Sequence, residues 1–225
     1  MTDDNASSSS KGESGSPHFS FKDYQNYMSD VQSLSKDDAP TRFFNESDIH
    51  AAIVVNELVK RATQKRHPID MFCGSFYLFR NEFKEEVDNE KSELAKNIEA
   101  EDAESFGEFK PFDDLLASIK AFFAQKLEMN VVLENEGAFD RIKSDPNWKD
   151  VFKPSMEEKR LRFFQLDSDL KNIHNHFMVS GNSFRREVSE KFRTAMCSFN
   201  RSDYASMYKS TFELLKNGSQ ECVLS

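Results

Sequence analysis

The sequence has few cysteines, no long apolar run and no secretory signal, and each of these absences excludes a class of protein. Its 225 residues include three cysteines, none of them in a C-x-x-C pair. This argues against a disulfide framework or a zinc knuckle and favours a reducing compartment. No apolar stretch is long enough to cross a bilayer, and the polar N-terminus lacks the apolar core of a signal peptide. The sequence therefore predicts a cytoplasmic protein.

The sequence also lacks a surplus of positive charge. Its formal net charge is −9 at pH 7, whereas proteins that bind nucleic acid nonspecifically are usually basic. The charge argues against a large nucleic-acid footprint. A local basic patch remains compatible with it, because the negative charge is concentrated in particular segments.

The distribution of hydrophobic residues indicates one domain with tails. Hydrophobic residues make up 38% of the chain, and the deficit lies at the N-terminus and in one acidic stretch. We predict a disordered Ser/Gly-rich tail over residues 1–18, a single domain over 19–218 and a flexible tail over 219–225. The chain has 22 phenylalanines and one tryptophan. A phenylalanine core needs space between layers, which favours a sheet covered by helices.

Helix and strand signals alternate along the predicted domain. Ser47 is an N-cap candidate for a helix that Pro68 cannot continue, Pro111 fits the first turn of a later helix, and Ser202 is the expected N-cap of the last helix. Residues 137–158 are predicted to be irregular. Strands are predicted for "PIDMFCGS", "MNVVLE", "RLRFFQLDS", "HNHFMVS", "SFRREV" and "FRTAMCSFN". This order predicts an α/β fold with a mixed central sheet and helices on both faces.

Two of the five histidines, His174 and His176, are separated by a single residue within a predicted strand. Residues two apart in a strand point to the same face, so the two rings would lie side by side. Such a pair can hold a metal, bind a phosphate, divide into nucleophile and helper, or form an ordinary half-exposed sheet face. No third ligand is identified in the sequence, so neither a metal nor another cofactor is predicted.

The order of elements around "HNHFMVSG" resembles one half of a phospholipase D superfamily domain over nearly all of the predicted domain. That family carries an H-x-K-x4-D motif in such a strand and a Ser-x-Asn segment downstream, which "CSFN" resembles. The resemblance implies phosphodiester chemistry in which His174 attacks phosphorus and His176 contacts the phosphate. It also implies that Ser198 and Asn200 bind the substrate, and we expect Arg185 to bind it too and to stabilise its charge together with Asn200. Because the family needs two copies of the motif for one site, it implies a homodimer.

The sequence departs from the family motif at two charged positions. His176 stands where the family has lysine, and Gly181 stands where it has aspartate. A guanidinium group can replace a missing phosphate cation, because it grips phosphate through two N–H groups. Strand neighbours alternate, however, so only one of Arg185 and Arg186 can face the site. Glu187 would share the face of Arg185 and could pair with it.

Two functions follow as alternatives from these observations. The first is a phospholipase D-like protein that binds or processes a phosphodiester with weakened catalysis, a nucleic acid or nucleotide rather than a lipid. The second is a catalytically inactive fold that binds a protein partner through an acidic helix at residues 76–100.

The cysteines have different predicted roles. Cys73 and Cys197 lie in apolar strands and are predicted to be buried thiols rather than nucleophiles. The chain ends in Cys222-Val223-Leu224-Ser225, which fits the C-a-a-X pattern for farnesylation in a eukaryotic cytosol. Membrane binding is predicted only if Cys222 is prenylated, and the alternative is a chance tetrapeptide. No polybasic segment precedes the cysteine to strengthen such an anchor.

Overall fold

The computed structural model describes residues 19–167, 175–189 and 194–224, so His174 and the predicted N-terminal tail lie outside the described residues. Short 3₁₀ turns at Tyr77–Phe79 and Ala100–Asp102 and a π-helical turn at Trp148–Phe152 connect longer elements. The α-helices in the described ranges are α1 (Phe21–Lys36), α2 (Asp48–Lys65), α3 (Asn81–Ala95), α4 (Ala103–Glu108), α5 (Pro111–Ala124), α6 (Ala138–Lys143), α7 (Lys153–Glu157) and α8 (Ser202–Asn217).

One mixed sheet of eight strands organises the described chain, in the order β1-β7-β6-β5-β2-β3-β4-β8. The three strands β2, β3 and β4 are parallel, and every other neighbouring pair is antiparallel. This confirms the α/β fold with a mixed sheet. The strands are β1 (Phe43–Asn45), β2 (Ile69–Cys73), β3 (Met129–Leu133), β4 (Leu161–Leu166), β5 (Phe177–Ser180), β6 (Ser183–Ser189), β7 (Thr194–Ser198) and β8 (Ser219–Glu221).

Helices cover both faces of the sheet, but unequally. A thick layer that includes α1, α2, α3 and α5 packs on one face, while α8 covers the other face in the part of the chain that the structure describes. Alternate strand residues belong to different cores: Met71 and Val131 face the thick layer, whereas Phe72 and Val132 face α8. A central strand buried on both sides loses the apolar–polar alternation of a half-exposed strand, which explains why β2 and β3 are nearly continuous apolar runs.

The helix ends follow local signals in the sequence. The Ser47 hydroxyl accepts a hydrogen bond of 3.1 Å from the backbone N–H of His50 at the start of α2, as the N-cap prediction requires. That helix ends at Arg66 in the left-handed conformation, two residues before Pro68. Pro111 occupies the first turn of α5, as expected. Ser202 begins α8, but the N-cap residue is Arg201, one residue earlier than predicted.

Two segments differ from their predicted structures. Residues 137–158 are largely helical, comprising α6, the π-helical turn and α7, rather than irregular. The segment predicted to be a flexible C-terminal tail begins instead with β8, which pairs with β4. The backbone N–H of Cys222 continues this pairing with a 2.8 Å hydrogen bond to the carbonyl of Phe163. The physical reason is the edge of β4, whose unpaired backbone groups this segment satisfies.

The predicted acidic helix is α3 with the 3₁₀ turn that precedes it. Its inner side is docked, because Phe83 and Val87 are fully buried and Glu90 accepts a 3.0 Å hydrogen bond from the backbone N–H of Ile49. Its outer side is exposed and largely acidic. No helix in the described ranges has both the length and the apolar character needed to cross a membrane.

Candidate functional site

His176 lies just before β5, at the end of the sheet where β2 and β3 finish. Its Nε2 atom is 2.8 Å from Oε2 of Glu134, and its Nδ1 atom is 3.1 Å from Oε2 of Glu187. Glu134 follows β3 directly, and Glu187 lies opposite His176 on β6, where its backbone N–H donates to the His176 carbonyl over 2.9 Å. Both ring nitrogens therefore face carboxylates.

The two carboxylates determine the protonation of His176. Burial alone would lower the pKa of the ring, but hydrogen bonds and charge interactions with Glu187 and Glu134 outweigh it and raise the pKa above the ordinary value. A protonated imidazole with both N–H groups engaged has no lone pair for attack on phosphorus. The neighbouring carboxylates would also repel a phosphate placed beside the ring.

Arg185 and Arg186 point to opposite faces of β6, as the alternation of a strand requires. Arg185 is buried on the face of the thick helical layer, where its Nε–H donates to Oδ1 of Asn45 over 3.3 Å. Arg186 lies on the other face and donates from Nε–H to Oδ1 of Asn175 over 2.7 Å. The predicted Arg185–Glu187 pairing is replaced by contacts of Arg185 with Asn45 and of Glu187 with His176.

The structure does not bring Ser198 and Asn200 to His176, which corrects the expectation of one convergent site. The chain reverses twice between them: β5 leads away from His176, β6 returns and β7 leads away again. Asn200 consequently lies beside Asn182 in the β5–β6 turn, with 3.3 Å between Nδ2 of Asn182 and Oδ1 of Asn200. This turn is five residues along β6 from Glu187, or about 17 Å at the usual rise per strand residue. One phosphate cannot contact both ends.

Ser198 occupies a third environment. It is buried on the α8 side of the sheet, and its hydroxyl has no hydrogen-bond partner among the described residues. Its strand partner in β6 is Phe184, whose side chain belongs to the core beneath α8. The structure thus places Ser198 in an apolar core, at the end of the sheet opposite His176 and with its side chain directed toward α8.

A cleft of about 410 Å³ opens around Asn200 at this second end of the sheet. We call it the cationic cleft. It is formed by the connection after α1, the end of α2, the residues leading into β2, the β5–β6 turn, the residue pair after β7 and one side of α8. The residues that line it are Asp38, Arg61, Ala62, Lys65, His67, Pro68, Ser180, Gly181, Asn182, Ser183, Asn200 and Lys209.

Basic side chains dominate the cationic cleft. Arg61 is largely buried and donates from Nε–H to the Ser183 hydroxyl over 3.1 Å. The pKa of His67 is lowered by burial first and then by the nearby charges of Lys209, Lys65 and Arg61. The lowered pKa favours neutral His67 at pH 7. The described residues that line the cleft include three permanent cations (Arg61, Lys65 and Lys209) and one carboxylate (Asp38), which leaves two positive charges in excess.

Neutral hydrogen-bonding groups complete the cleft. The side chain of Ser180 is 3% exposed, and its hydroxyl lacks a partner among the described residues. Asn182 and Asn200 present side-chain amides at the rim. A buried hydroxyl without a partner costs free energy, and hydrogen bonding to a ligand would recover it.

Gly181 sets the shape of the cleft wall. Its φ is +55°, and a Cβ atom placed on it would lie 2.2 Å from Nδ1 of His67. The His67 ring therefore packs directly against the turn, and a side chain at position 181 fits only if this ring moves.

Sequence reasoning missed most of the cationic cleft. Asn200 was identified, but Arg61, Lys65, His67 and Lys209 were not. The available signal was the run "KRATQKRH" at the end of α2, which contains four basic residues besides His67 within eight positions. Such a run at the C-terminal end of a helix also suits the helix dipole, so it does not by itself indicate a ligand.

Two of the three cysteines are buried and the third is partly buried. Cys73 and Cys197 are buried, and burial raises the pKa of both thiols to about 12, which confirms the prediction that they are buried thiols. Cys222 is half-buried against the core below the thick helical layer, and burial raises the pKa of its thiol too. Prenylation of Cys222 stays a prediction, and it would require the segment after β8 to leave this position.

These features define an α/β protein with a mixed sheet, a carboxylate-bound histidine at one end and a cationic cleft at the other. No family model matches the sequence, and no curated protein matches it. A solved structure that it resembles in fold is that of TrmBL2, an archaeal chromatin protein with a novel mode of DNA binding. The two chains are 10% identical with a TM-score of 0.50, and the alignment covers 89% of this chain and 62% of the other. The likeness concerns the fold alone.

Proposed function

We propose that this protein binds the phosphate group of a nucleotide, or of a nucleic-acid end, in the cationic cleft. The observation that carries the proposal is the convergence of Arg61, Lys65 and Lys209 on a cleft that also contains the unpartnered Ser180 hydroxyl. The excess of two positive charges equals the charge of a phosphate monoester dianion. Charge-assisted hydrogen bonds from such groups are the strong contacts of phosphate sites.

The size of the cleft and the charge of the chain favour a small ligand. A volume of about 410 Å³ lies within the usual range of small-molecule sites, roughly 300–1,000 Å³. The net charge of −9 opposes an extended nucleic-acid footprint. DNA binding by the structurally similar TrmBL2 supports nucleotides and nucleic-acid ends as the first phosphate esters to test.

The resemblance to phospholipase D domains supports a phosphate-ester ligand, but binding rather than cleavage is the function proposed. His176, which stands at the family lysine position, has both ring nitrogens engaged by carboxylates. The catalytic roles of His174 and His176 stay a prediction. The catalytic role of His174 is tested by comparing the hydrolysis of a chromogenic phosphodiester by the unchanged protein and by His174→Ala. The mass of the protein in solution tests the predicted homodimer.

A second candidate function is protein binding through α3. The observation that favours it is the exposed outer side of this helix, which carries Glu85, Glu86 and Glu93 while Phe83 and Val87 hold the inner side in the core. A partner with a basic surface would fit it. Replacing the three glutamates with glutamine would weaken that partner's binding and leave nucleotide binding unchanged.

Calorimetric titration with AMP and with adenosine tests the proposed function. AMP is expected to bind and adenosine, which lacks the phosphate, is not. Lys209→Gln is expected to weaken AMP binding about fivefold, the size of one solvent-exposed charge contact of about 1 kcal/mol. Lys120→Gln is the matched control, because Lys120 is exposed on α5 outside the cleft. Equal binding of AMP and adenosine would refute the proposal, and glycerol phosphate in parallel separates a lipid headgroup from a nucleotide.

Two serine-to-alanine variants form a second matched test. Ser180 and Ser198 both bury hydroxyls without partners among the described residues, but only Ser180 lines the cleft. Each variant removes a buried unsatisfied group and is expected to raise the free energy of unfolding by about 1 kcal/mol. Ser180→Ala alone is expected to weaken AMP binding, about tenfold, because it removes a hydrogen bond to a charged group. Equal AMP affinities in the two variants would show that Ser180 does not contact the phosphate.

A further inference from the structure

The cationic cleft already contains an anion of the protein itself. Nζ of Lys65 lies 2.8 Å and 2.9 Å from the two carboxylate oxygens of Asp38. The same carboxylate forms an ion pair with Arg61. Two of the three permanent cations of the cleft are therefore engaged by one carboxylate, in the arrangement with which they would bind a phosphate.

Asp38 follows the end of α1 as a left-handed residue, which is a common way for a helix to terminate. Its φ is +53°, in the left-handed region that residues other than glycine adopt infrequently. Asp38 is joined to the cleft by its backbone as well, because Nδ2 of Asn200 donates to its carbonyl over 2.9 Å. Both the side chain and the carbonyl of Asp38 therefore hold the end of α1 at the cleft.

Exposure determines which partner of the ion pairs can move. The side chain of Arg61 is 9% exposed and is fixed by Ser183, whereas the side chain of Asp38 is 48% exposed. An exposed carboxylate regains hydration when it leaves its partners, so displacing it costs little. The buried guanidinium cannot leave without losing its contacts in the cleft.

We propose that Asp38 is a built-in competitor of the ligand: it occupies Arg61 and Lys65 in the empty cleft, and an arriving phosphate displaces it. This inference rests on the proposed function and adds its regulation. Displacement releases the carboxylate to solvent and frees the connection between α1 and β1, which links phosphate binding to a movement of residues 37–42. The alternative is that Asp38 orients the two cations and so assists the ligand.

Asp38→Asn distinguishes competition from assistance. Asparagine keeps the shape, removes the charge and tolerates a positive φ well, so folding should be preserved. If Asp38 competes, the variant is expected to bind AMP about tenfold more tightly than the unchanged protein. Asp37→Asn is the matched control, since Asp37 is the adjacent exposed carboxylate and does not line the cleft. It is expected to leave the affinity within twofold.

Each possible result of the AMP titrations supports or overturns the inference that Asp38 competes with the ligand. Weaker or unchanged AMP binding by Asp38→Asn overturns it while leaving the proposed function standing, because the unchanged protein would still bind AMP. Binding by the variant alone would support the inference but would show that the unchanged protein does not bind AMP, and binding by neither protein would overturn both. Hydrogen exchange gives an independent measurement: saturating AMP is expected to speed exchange at the amide of Ala39, which donates to the Leu34 carbonyl over 3.1 Å. Slower exchange there would contradict displacement.

Discussion

Replacing Gly181 with alanine is expected to abolish AMP binding and to lower the free energy of unfolding by about 2 kcal/mol. The backbone cost arises because φ is +55°, a conformation that costs an L-residue roughly 1–2 kcal/mol. The new Cβ would lie 2.2 Å from Nδ1 and 2.7 Å from Cε1 of His67. The ring must therefore leave its position against the turn, and it can move only by entering the cleft or exposing itself. Urea denaturation and AMP titration measure the two effects.

Two further variants separate binding from stability. Gly181→Asn carries the same Cβ but accommodates a positive φ, so it is expected to be more stable than the alanine variant and still to lose AMP binding. Gly107→Ala is the control for the substitution itself, because a Cβ there meets no atom within 4 Å and the residue lies in α4. Gly107→Ala is expected to leave the free energy of unfolding unchanged or to raise it slightly. Normal AMP binding by both Gly181 variants would show that the contact with His67 does not shape the site.

The part of the fold that could be predicted from the sequence is the part encoded by neighbouring residues. The start of α2 is set by the Ser47 side chain and its end by Pro68, and both signals lie within the segment itself. The strands β2 and β3 were recognisable because burial on both faces makes them short apolar runs. By contrast, β1 and β8 have three residues each and form because an edge strand offers unpaired backbone groups. No local pattern encodes that pairing.

The site was harder to predict because its residues are distant in sequence. Asp38, His67, Gly181 and Lys209 belong to four separate segments, which the sheet order brings together. The family resemblance connected His176 with Asn200 through motif spacing alone. Spacing does not reveal that two hairpin reversals intervene, and those reversals place the two residues at opposite ends of the sheet. The alternation of Arg185 and Arg186 was predictable, since it depends only on neighbouring positions in one strand.

The free energy of unfolding is expected to be greatest near pH 6.5 and to fall on both sides, because the buried His50 and the partly buried His176 titrate in opposite senses. His50 is 4% exposed among the rings of Phe19, Tyr24 and Tyr27, with ring centroids 4.6, 4.9 and 3.9 Å away. Neither of its ring nitrogens has a partner among the described residues. Burial lowers its pKa to about 4, against a small opposing effect of Asp23. Between pH 6.5 and pH 4, His50 is therefore protonated in the unfolded chain but neutral in the folded chain. As a result, the free energy of unfolding falls by about 3 kcal/mol as the pH drops across this range.

The alkaline side depends on His176, whose pKa is raised in the folded protein despite its burial because Glu187 and Glu134 hold its protonated form. Its stabilisation is complete below pH 6.5 and is lost as the pH rises through the raised pKa. Urea denaturation across pH 4–9 measures both sides. His50→Phe fills the aromatic environment without a titrating group. It is expected to remove the loss of stability below pH 6.5 and to leave the loss above pH 6.5 unchanged. His176→Gln is expected to do the reverse. If the loss of stability below pH 6.5 keeps its full size in His50→Phe, it belongs to carboxylates and to His67 instead. The His50 ring would then take up its proton at the same pH in the folded and the unfolded protein.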